Sequence, residues 1–316
     1  MYTKPTTLTE FILQEERKVK HATGSFTLLL THIENAAKII ASHIRKTGLL
    51  DIIAATGEKN VSADDLIKID KFSNDLLIEI LANSGQVYAA ASEETEKPII
   101  MDKKNGKYIV FFDPIDGSSN VASNDSVGTI FSVYRRSDSI IKSGKEQVAA
   151  GYILYGPSVL FVYTFGNGVN GFTLDSSIGN FLLSHANMKI PKKGKTYSIN
   201  EGNSLFWEES TNVYLEQFKN NESVKSRYAG CIVADVHRIL VKGGIFLYPV
   251  DKQHPNGKVR LMYEANPMSY IVIQAGGKSV SDGKNALDII PSSFHQRVPI
   301  VLGSPQDVDK YLSFCG

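Results

Sequence analysis

The chain has few cysteines, almost no net charge and no long apolar stretch. Its 316 residues include two cysteines, Cys231 and Cys315, which offer no disulfide framework. Its 34 basic and 33 acidic side chains leave a net charge of +1, so neither nucleic acid nor an anionic membrane is implied as a partner. No apolar run reaches the 18 residues of a membrane-spanning helix. Met1-Tyr-Thr-Lys-Pro-Thr-Thr lacks the apolar region of a signal peptide. Together these absences predict a reducing, cytoplasmic setting. What remains is 42% hydrophobic and 21% charged, ordinary for a soluble globular chain long enough for a large core and two domains.

The first 85 residues read as helices over Leu8–Lys20, Phe26–Thr47 and from Ser62 towards Ala82, the last opened by the capping box Ser62-Ala-Asp-Asp65. Strands follow at 87–91, 108–112, 127–135, 147–155 and 158–165, mostly as continuous apolar runs, which predicts cover on both faces. Lys189–Lys195 reads as a link between domains. Beyond it lie helices at Val213–Asn220, Ala234–Val241 and Leu261–Ala275, with strands at Ile245–Tyr248 and Pro299–Gly303. The alternation predicts layered α/β architecture.

Chemistry concentrates in Asp113-Pro114-Ile115-Asp116-Gly117-Ser118-Ser119-Asn120, read as a turn at the end of the strand over 108–112. Two carboxylates suit a hard cation. The glycine, the hydroxyls and the backbone N–H groups suit a phosphate. A neighbouring strand, 87–91, ends in Ser92-Glu93-Glu94. Glu93, Glu94, Asp113 and Asp116 would then share one rim and repel unless cations neutralise them. Other signals fail. Gly166-Asn-Gly168-Val-Asn-Gly171 precedes a strand where a dinucleotide fingerprint needs a helix, so it reads as a hairpin. His21, His32 and His43 are 11 apart, about 16 Å per helical step, too far to share an ion.

Glu93-Glu94 followed by Asp113-Pro-Ile-Asp-Gly-Ser-Ser resembles the metal-dependent, lithium-sensitive sugar and inositol phosphatase superfamily. Within it, the chain is most similar to the class I fructose-1,6-bisphosphatases. The similarity runs through Gly128-Thr-Ile-Phe131, Tyr197-Ser-Ile-Asn-Glu-Gly202, Val233-Ala-Asp-Val-His-Arg238, Gly243-Gly-Ile-Phe-Leu-Tyr-Pro249 and Lys258-Val-Arg-Leu-Met-Tyr-Glu-Ala-Asn-Pro267. It implies an α/β fold of α-β-α-β-α layers with two sheet-containing domains, 1–192 and 193–316. It also implies hydrolysis of the 1-phosphate of fructose 1,6-bisphosphate to fructose 6-phosphate, a step of gluconeogenesis. A sedoheptulose-1,7-bisphosphatase or broader sugar bisphosphatase is the nearest alternative. A non-catalytic regulatory homologue would not need so many clustered acids.

The resemblance assigns roles residue by residue. Glu93, Asp113, Asp116, Glu264 and the carbonyl of Ile115 correspond to ligands of Mg2+, with Mn2+ or Zn2+ as alternatives. Asp64 corresponds to an acid that helps hold a further metal. Asp70 and Glu94 correspond to the pair that polarises the attacking water, acting with Glu93 and Asp113. Asp116, Gly117, Ser118 and Ser119 correspond to the turn under the reacting phosphate. Asn200, Arg227, Tyr228, Tyr248, Tyr263 and Lys258 correspond to the pocket for the sugar and the second phosphate. Arg227 would come from a neighbouring subunit of a homotetramer. Thr23, Gly24, Thr27, Lys107, Tyr108 and Arg135 correspond to an AMP site. Two positions depart from the family: Asn203 stands where a tyrosine is usual, and Ala122 where an acid is usual, with Asp125 the nearest replacement.

Overall fold

The two apolar runs nearest the acidic motifs pair side by side. They appear as strands β1 (Val87–Ser92) and β3 (Tyr108–Asp116) in the computed structural model, which describes residues 5–18, 23–47, 63–219 and 221–315, with the backbone alone at 63–68 and 315. They belong to an eight-stranded sheet completed by β2 (Ile99–Ile100), β4 (Val127–Arg135), β5 (Gln147–Tyr155), β6 (Val159–Thr164), β7 (Val169–Asp175) and β8 (Asn180–Met188). The strand order is β2-β1-β3-β4-β5-β6-β7-β8, and the β1–β3 pair alone in this sheet is parallel.

Helices α1 (Leu8–Glu16), α2 (Ser25–Ile44) and α3 (Ala63–Asn83) cover one face of this sheet. Their Leu8, Leu29, Ile33 and Leu77 pack with Val110, Phe112 and Phe131 in the first core. Helix α1 opens with a capping box: the Thr7 hydroxyl accepts from the Glu10 N–H at 3.2 Å, and the Glu10 carboxylate accepts from the Thr7 N–H at 3.2 Å. The helix closes at Glu16, short of the expected Lys20. Residues 19–22, with His21, and the expected cap Ser62 lie outside the described residues.

A second sheet takes β9 (Thr196–Ser198), β10 (Lys225–Ser226), β11 (Ile245–Tyr248), β13 (Lys278–Ser281), β14 (Lys284–Asn285) and β16 (Ile300–Gly303) in the order β10-β9-β11-β16-β13-β14. A short antiparallel pair, β12 (Val259–Arg260) with β15 (Arg297–Val298), stands apart from it. Helices α5 (Ile232–Lys242) and α6 (Asn266–Gln274) lie between the sheets, where Val236, Ile239, Met268 and Ile271 join Ile130 and Tyr152 of the first sheet to Phe246 and Ile300 of the second. Helices α4 (Glu209–Lys219) and α7 (Pro305–Cys315) close the outer face over Leu247 and Val301. The result is the α-β-α-β-α layering expected.

Three local differences bear on the site. The octet does not leave the sheet at Phe112: β3 continues through Asp116, and its register against β4 shifts between Asp113 and Asp116. This irregularity accommodates Pro114, which cannot donate to a ladder. The carbonyl of Pro114 instead accepts from the Thr129 hydroxyl at 2.7 Å. The expected helix over Leu261–Ala275 splits. Leu261–Ala265 forms a wide turn in which the Asn266 N–H reaches back to the Leu261 carbonyl. Pro267 then starts α6 without an N–H of its own. Finally, Gly166–Gly168 turns between antiparallel β6 and β7, as the hairpin reading requires.

Candidate active site

Parallel pairing of β1 with β3 puts two acids side by side. Ser92 lies opposite Phe112, and the Glu93 N–H donates to the Phe112 carbonyl at 3.0 Å, so Glu93 leaves the sheet beside Asp113. The Asp113 carboxylate accepts from the Ile115 N–H at 3.0 Å, which holds it within the irregular segment. Glu264 arrives from the wide turn, and its carboxylate accepts from the Arg260 N–H. Glu93, Asp113 and Glu264 each offer an oxygen within 4.8 Å of the others. Asp116 faces the N-terminus of α5, where it accepts from the Cys231 thiol at 3.0 Å and the Val233 N–H at 2.7 Å.

These groups are costly to ionise together. Burial pushes the Asp113 and Glu264 carboxyls well above the ordinary range, and neighbouring carboxylates add to the shift. Burial also raises Glu93 and Asp116. Arg260 bonds Glu93 through one guanidinium nitrogen and supplies one positive charge. The other Glu93 oxygen is buried without a partner. An all-oxygen donor set with an orphaned carboxylate oxygen fits a hard divalent cation. Burial raises Asp70, on α3, to about 7, against a hydrogen bond from Ser118 and with repulsion from Glu94 and Glu93.

The pH dependence of stability follows. The folded chain holds protons on these carboxyls that the unfolded chain has already released above the ordinary values of 3.8 and 4.5. Folded stability therefore falls as pH rises. Buried His237, lowered to about 4 from 6.5, acts in the opposite sense, but only below pH 6.5. Between pH 6.5 and 8 the metal-free chain should thus melt at a lower temperature at the higher pH, and saturating magnesium should flatten or reverse that slope. Thermal scans with and without chelator check this; a chelated chain that melts higher at pH 8 would exclude a proton-loaded cluster.

A cavity of about 210 Å³ opens beside the acids, lined among others by Asp116, Tyr228, Tyr248, Lys258, Arg260 and Glu264. The turn Gly117-Ser118-Ser119 follows Asp116 and packs against Cys231, residues that both line the cavity. Gly117 has φ 75°, and an added Cβ would lie 2.7 Å from the Cys231 Cβ. Asn120 ties the turn to the far wall through the Ala229 carbonyl at 2.8 Å. Tyr228 and Tyr248 stand together on the cavity wall, and burial with the neighbouring Tyr248 hydroxyl pushes the Tyr228 phenol upward. Asn200 lies next to Tyr248 in an adjoining depression shared with Asn203. Arg227 is exposed and donates to the Ser226 carbonyl at 2.7 Å. Glu94 is exposed at the rim, and the side chain of Asp64 lies outside the described residues. Asp125 stays on its loop, accepting from the Ser126 N–H at 2.7 Å.

Tyr263 is 1% exposed and packs with Phe111, Tyr134 and Met262, close enough to Glu93 for that carboxylate to act on its hydroxyl. Among the lining residues that the sequence reading did not place in the site, four are titratable: Cys231, Asp235, Arg260 and Arg297. Asp235 is wholly buried, accepts from the Ala229 N–H and pairs with Arg238 at 2.9 Å, holding the Tyr228 loop in place. An acid three residues before an arginine on a helix was its available signal.

The six residues of the other motif also converge. Lys107 donates to Ser25 at 2.6 Å and Thr23 at 3.4 Å, next to Gly24 at φ 73°. Thr27 donates to Glu16 at 2.7 Å. Tyr108 lies opposite Arg135 across β3 and β4 and meets the Phe26 ring edge-on.

Comparisons with known proteins agree over the whole chain. The family model described as Fructose-1-6-bisphosphatase, N-terminal domain, matches residues 6–186, and that of its C-terminal domain matches residues 190–315. A protein of Persephonella marina named Fructose-1,6-bisphosphatase class 1 is 51% identical over 313 residues, covering 97% of each chain. The rice (Oryza sativa subsp. indica) protein named Fructose-1,6-bisphosphatase, cytosolic, is 46% identical, covering 96% of this chain and 93% of its own. The crystal structure of Leishmania major fructose-1,6-bisphosphatase in holo form superposes with a TM-score of 0.91 at 40% identity, over 99% of both chains.

Proposed function

The chain belongs to the class 1 fructose-1,6-bisphosphatase family, and from that premise we propose that it removes the 1-phosphate of fructose 1,6-bisphosphate with water activated at the acidic cluster. The products are fructose 6-phosphate and phosphate. One observation carries this reading: three carboxylates within 4.8 Å of one another adjoin a cavity lined by cations and tyrosines. Glu93, Asp113 and Glu264 would hold Mg2+, with Mn2+ or Zn2+ as alternatives, and Asp116, the Ile115 carbonyl and Asp64 would complete the sites. Such ions, when bound, supply an acidified water and neutralise the ester's charge.

The chain's own groups do the rest. Asp70, poised near neutrality, would accept the water's proton with Glu94 as its partner. The Gly117-Ser118-Ser119 turn would hold the reacting phosphate on its N–H groups and hydroxyls. Lys258, Asn200, Tyr228 and Tyr248 would take the sugar and the second phosphate. Arg227 would reach the site of a neighbouring subunit in a homotetramer, consistent with its exposure here. The Thr23, Gly24, Thr27, Lys107, Tyr108 and Arg135 cluster would bind AMP. We place the domain boundary at 192/193, between β8 and β9. No described helix is long and apolar enough to cross a membrane, and we assign the protein to the cytoplasm.

The deciding assay is phosphate release from fructose 1,6-bisphosphate, sedoheptulose 1,7-bisphosphate, fructose 6-phosphate and inositol 1-phosphate, with and without magnesium. Activity should be metal-dependent and strongest on the first. Comparable rates on inositol 1-phosphate would refute the second-phosphate pocket. Arg227→Ala should weaken bisphosphate use by roughly 1.5–3 kcal/mol, the size of a charge-assisted contact, and spare monophosphates. An unchanged bisphosphate-to-monophosphate ratio would remove Arg227 from that pocket.

A further inference from the structure

The short β12–β15 ladder sets Arg260 directly opposite Arg297 and Val259 opposite Val298. Residues facing each other across an antiparallel pair project to the same side. Val259 and Val298 are buried, at 3% and 5% exposure, which turns the two arginines the other way, and both line the cavity over Asp116 and Glu264. Like charges directly across a ladder repel. The Arg260 charge is answered by Glu93. The Arg297 guanidinium is exposed and, among the described residues, has no ion pair or hydrogen bond.

An unanswered cation held against another cation, at the mouth of a cavity, is poised for an anion from outside the chain. Resting on the function proposed above, we propose that Arg297 is a substrate-binding residue whose guanidinium takes the phosphate under attack. The side of the cavity decides which phosphate: Arg297 stands across from Arg260, whose guanidinium already touches the acidic cluster through Glu93. A planar fork of donors suits two phosphate oxygens at once. Lys258 begins the same strand-end segment and adds a third positive charge to the lining.

The probe is inorganic phosphate, a product of the proposed reaction. Arg297→Gln should weaken phosphate binding, read by calorimetry on the magnesium-loaded protein, at least tenfold. It should lower kcat/KM on the bisphosphate by a similar factor, with Arg297→Lys intermediate. Because the substitution also removes a repulsion, Arg297→Gln should melt no lower than wild type without phosphate, and should lose most of the stabilisation that phosphate confers. A phosphate affinity within twofold of wild type overturns the proposal. So does a lower melting temperature with phosphate stabilisation intact, since that marks a merely structural arginine. Failure of the wild-type protein to hydrolyse any sugar bisphosphate would count against the function instead, and phosphate binding would still decide the role of Arg297.

Discussion

Asp113→Asn should lower turnover at least a hundredfold, about 2.7 kcal/mol at ~1.36 kcal/mol per decade, while leaving the fold intact. Asp113 is 4% exposed and offers an oxygen within 4.8 Å of those of Glu93 and Glu264, and its carboxylate is fixed by the Ile115 N–H. Asparagine keeps the size of the side chain and can still accept from the Ile115 N–H. What disappears is the carboxyl that can ionise to hold a cation. The metal-free variant should therefore melt at or above the wild-type temperature at neutral pH, because the amide has no buried proton to be lost as pH rises. Its response to magnesium should shrink. Steady-state assays and thermal scans on the same preparation test both halves. Retention of more than a tenth of wild-type turnover at saturating magnesium would sink the assigned role.

Gly117→Ala should be nearly as damaging, for a different reason. At φ 75° a side chain costs roughly 1–2 kcal/mol, and the new Cβ would meet Cys231 Cβ at 2.7 Å and Cα at 3.1 Å. Cys231 cannot withdraw easily, because its thiol is donated to Asp116. The turn must shift, and with it the donors beneath the phosphate. We expect at least a hundredfold loss of kcat/KM. Gly179 offers the control, with φ 67° and open space around its missing Cβ. Gly179→Ala should carry the conformational cost alone. Similar effects of the two substitutions on melting temperature and activity would mean that crowding against Cys231 is unimportant.

The parts of the site visible in the sequence are those written into contiguous residues. Tyr108-Ile-Val-Phe-Phe shows a doubly covered strand because no polar residue interrupts it, and the acids that follow announce a cation. The continuation of β3 through Asp116 was hidden, since proline ordinarily argues against a strand interior and the Thr129 hydroxyl that satisfies its carbonyl comes from the next strand. The wide turn at Leu261–Ala265 was hidden by an apolar pattern that also suits an unbroken helix. A motif match likewise orders residues along the chain without telling how deeply each side chain is buried, as at Tyr263. Arg260 and Arg297 become partners only through the pairing of two strands remote in sequence, and no local periodicity encodes that.

The cation cluster also says when this protein can become active. Glu93 stands on the first sheet, and its counter-ion Arg260 comes from 167 positions further along the chain. Glu264 comes from that same late turn. A chain that has built only its first sheet presents an incomplete set of ligands, and so does one that has built only its second. An ion present from the outset therefore has no formed pocket to nucleate around, unlike the small domains that fold upon their metal. It can only favour the docked arrangement once docking has occurred. Closing so long a loop is entropically slow and must be driven by the apolar packing between the sheets. Catalytic competence thus requires both halves of the chain in place, since neither alone carries the full set of ligands.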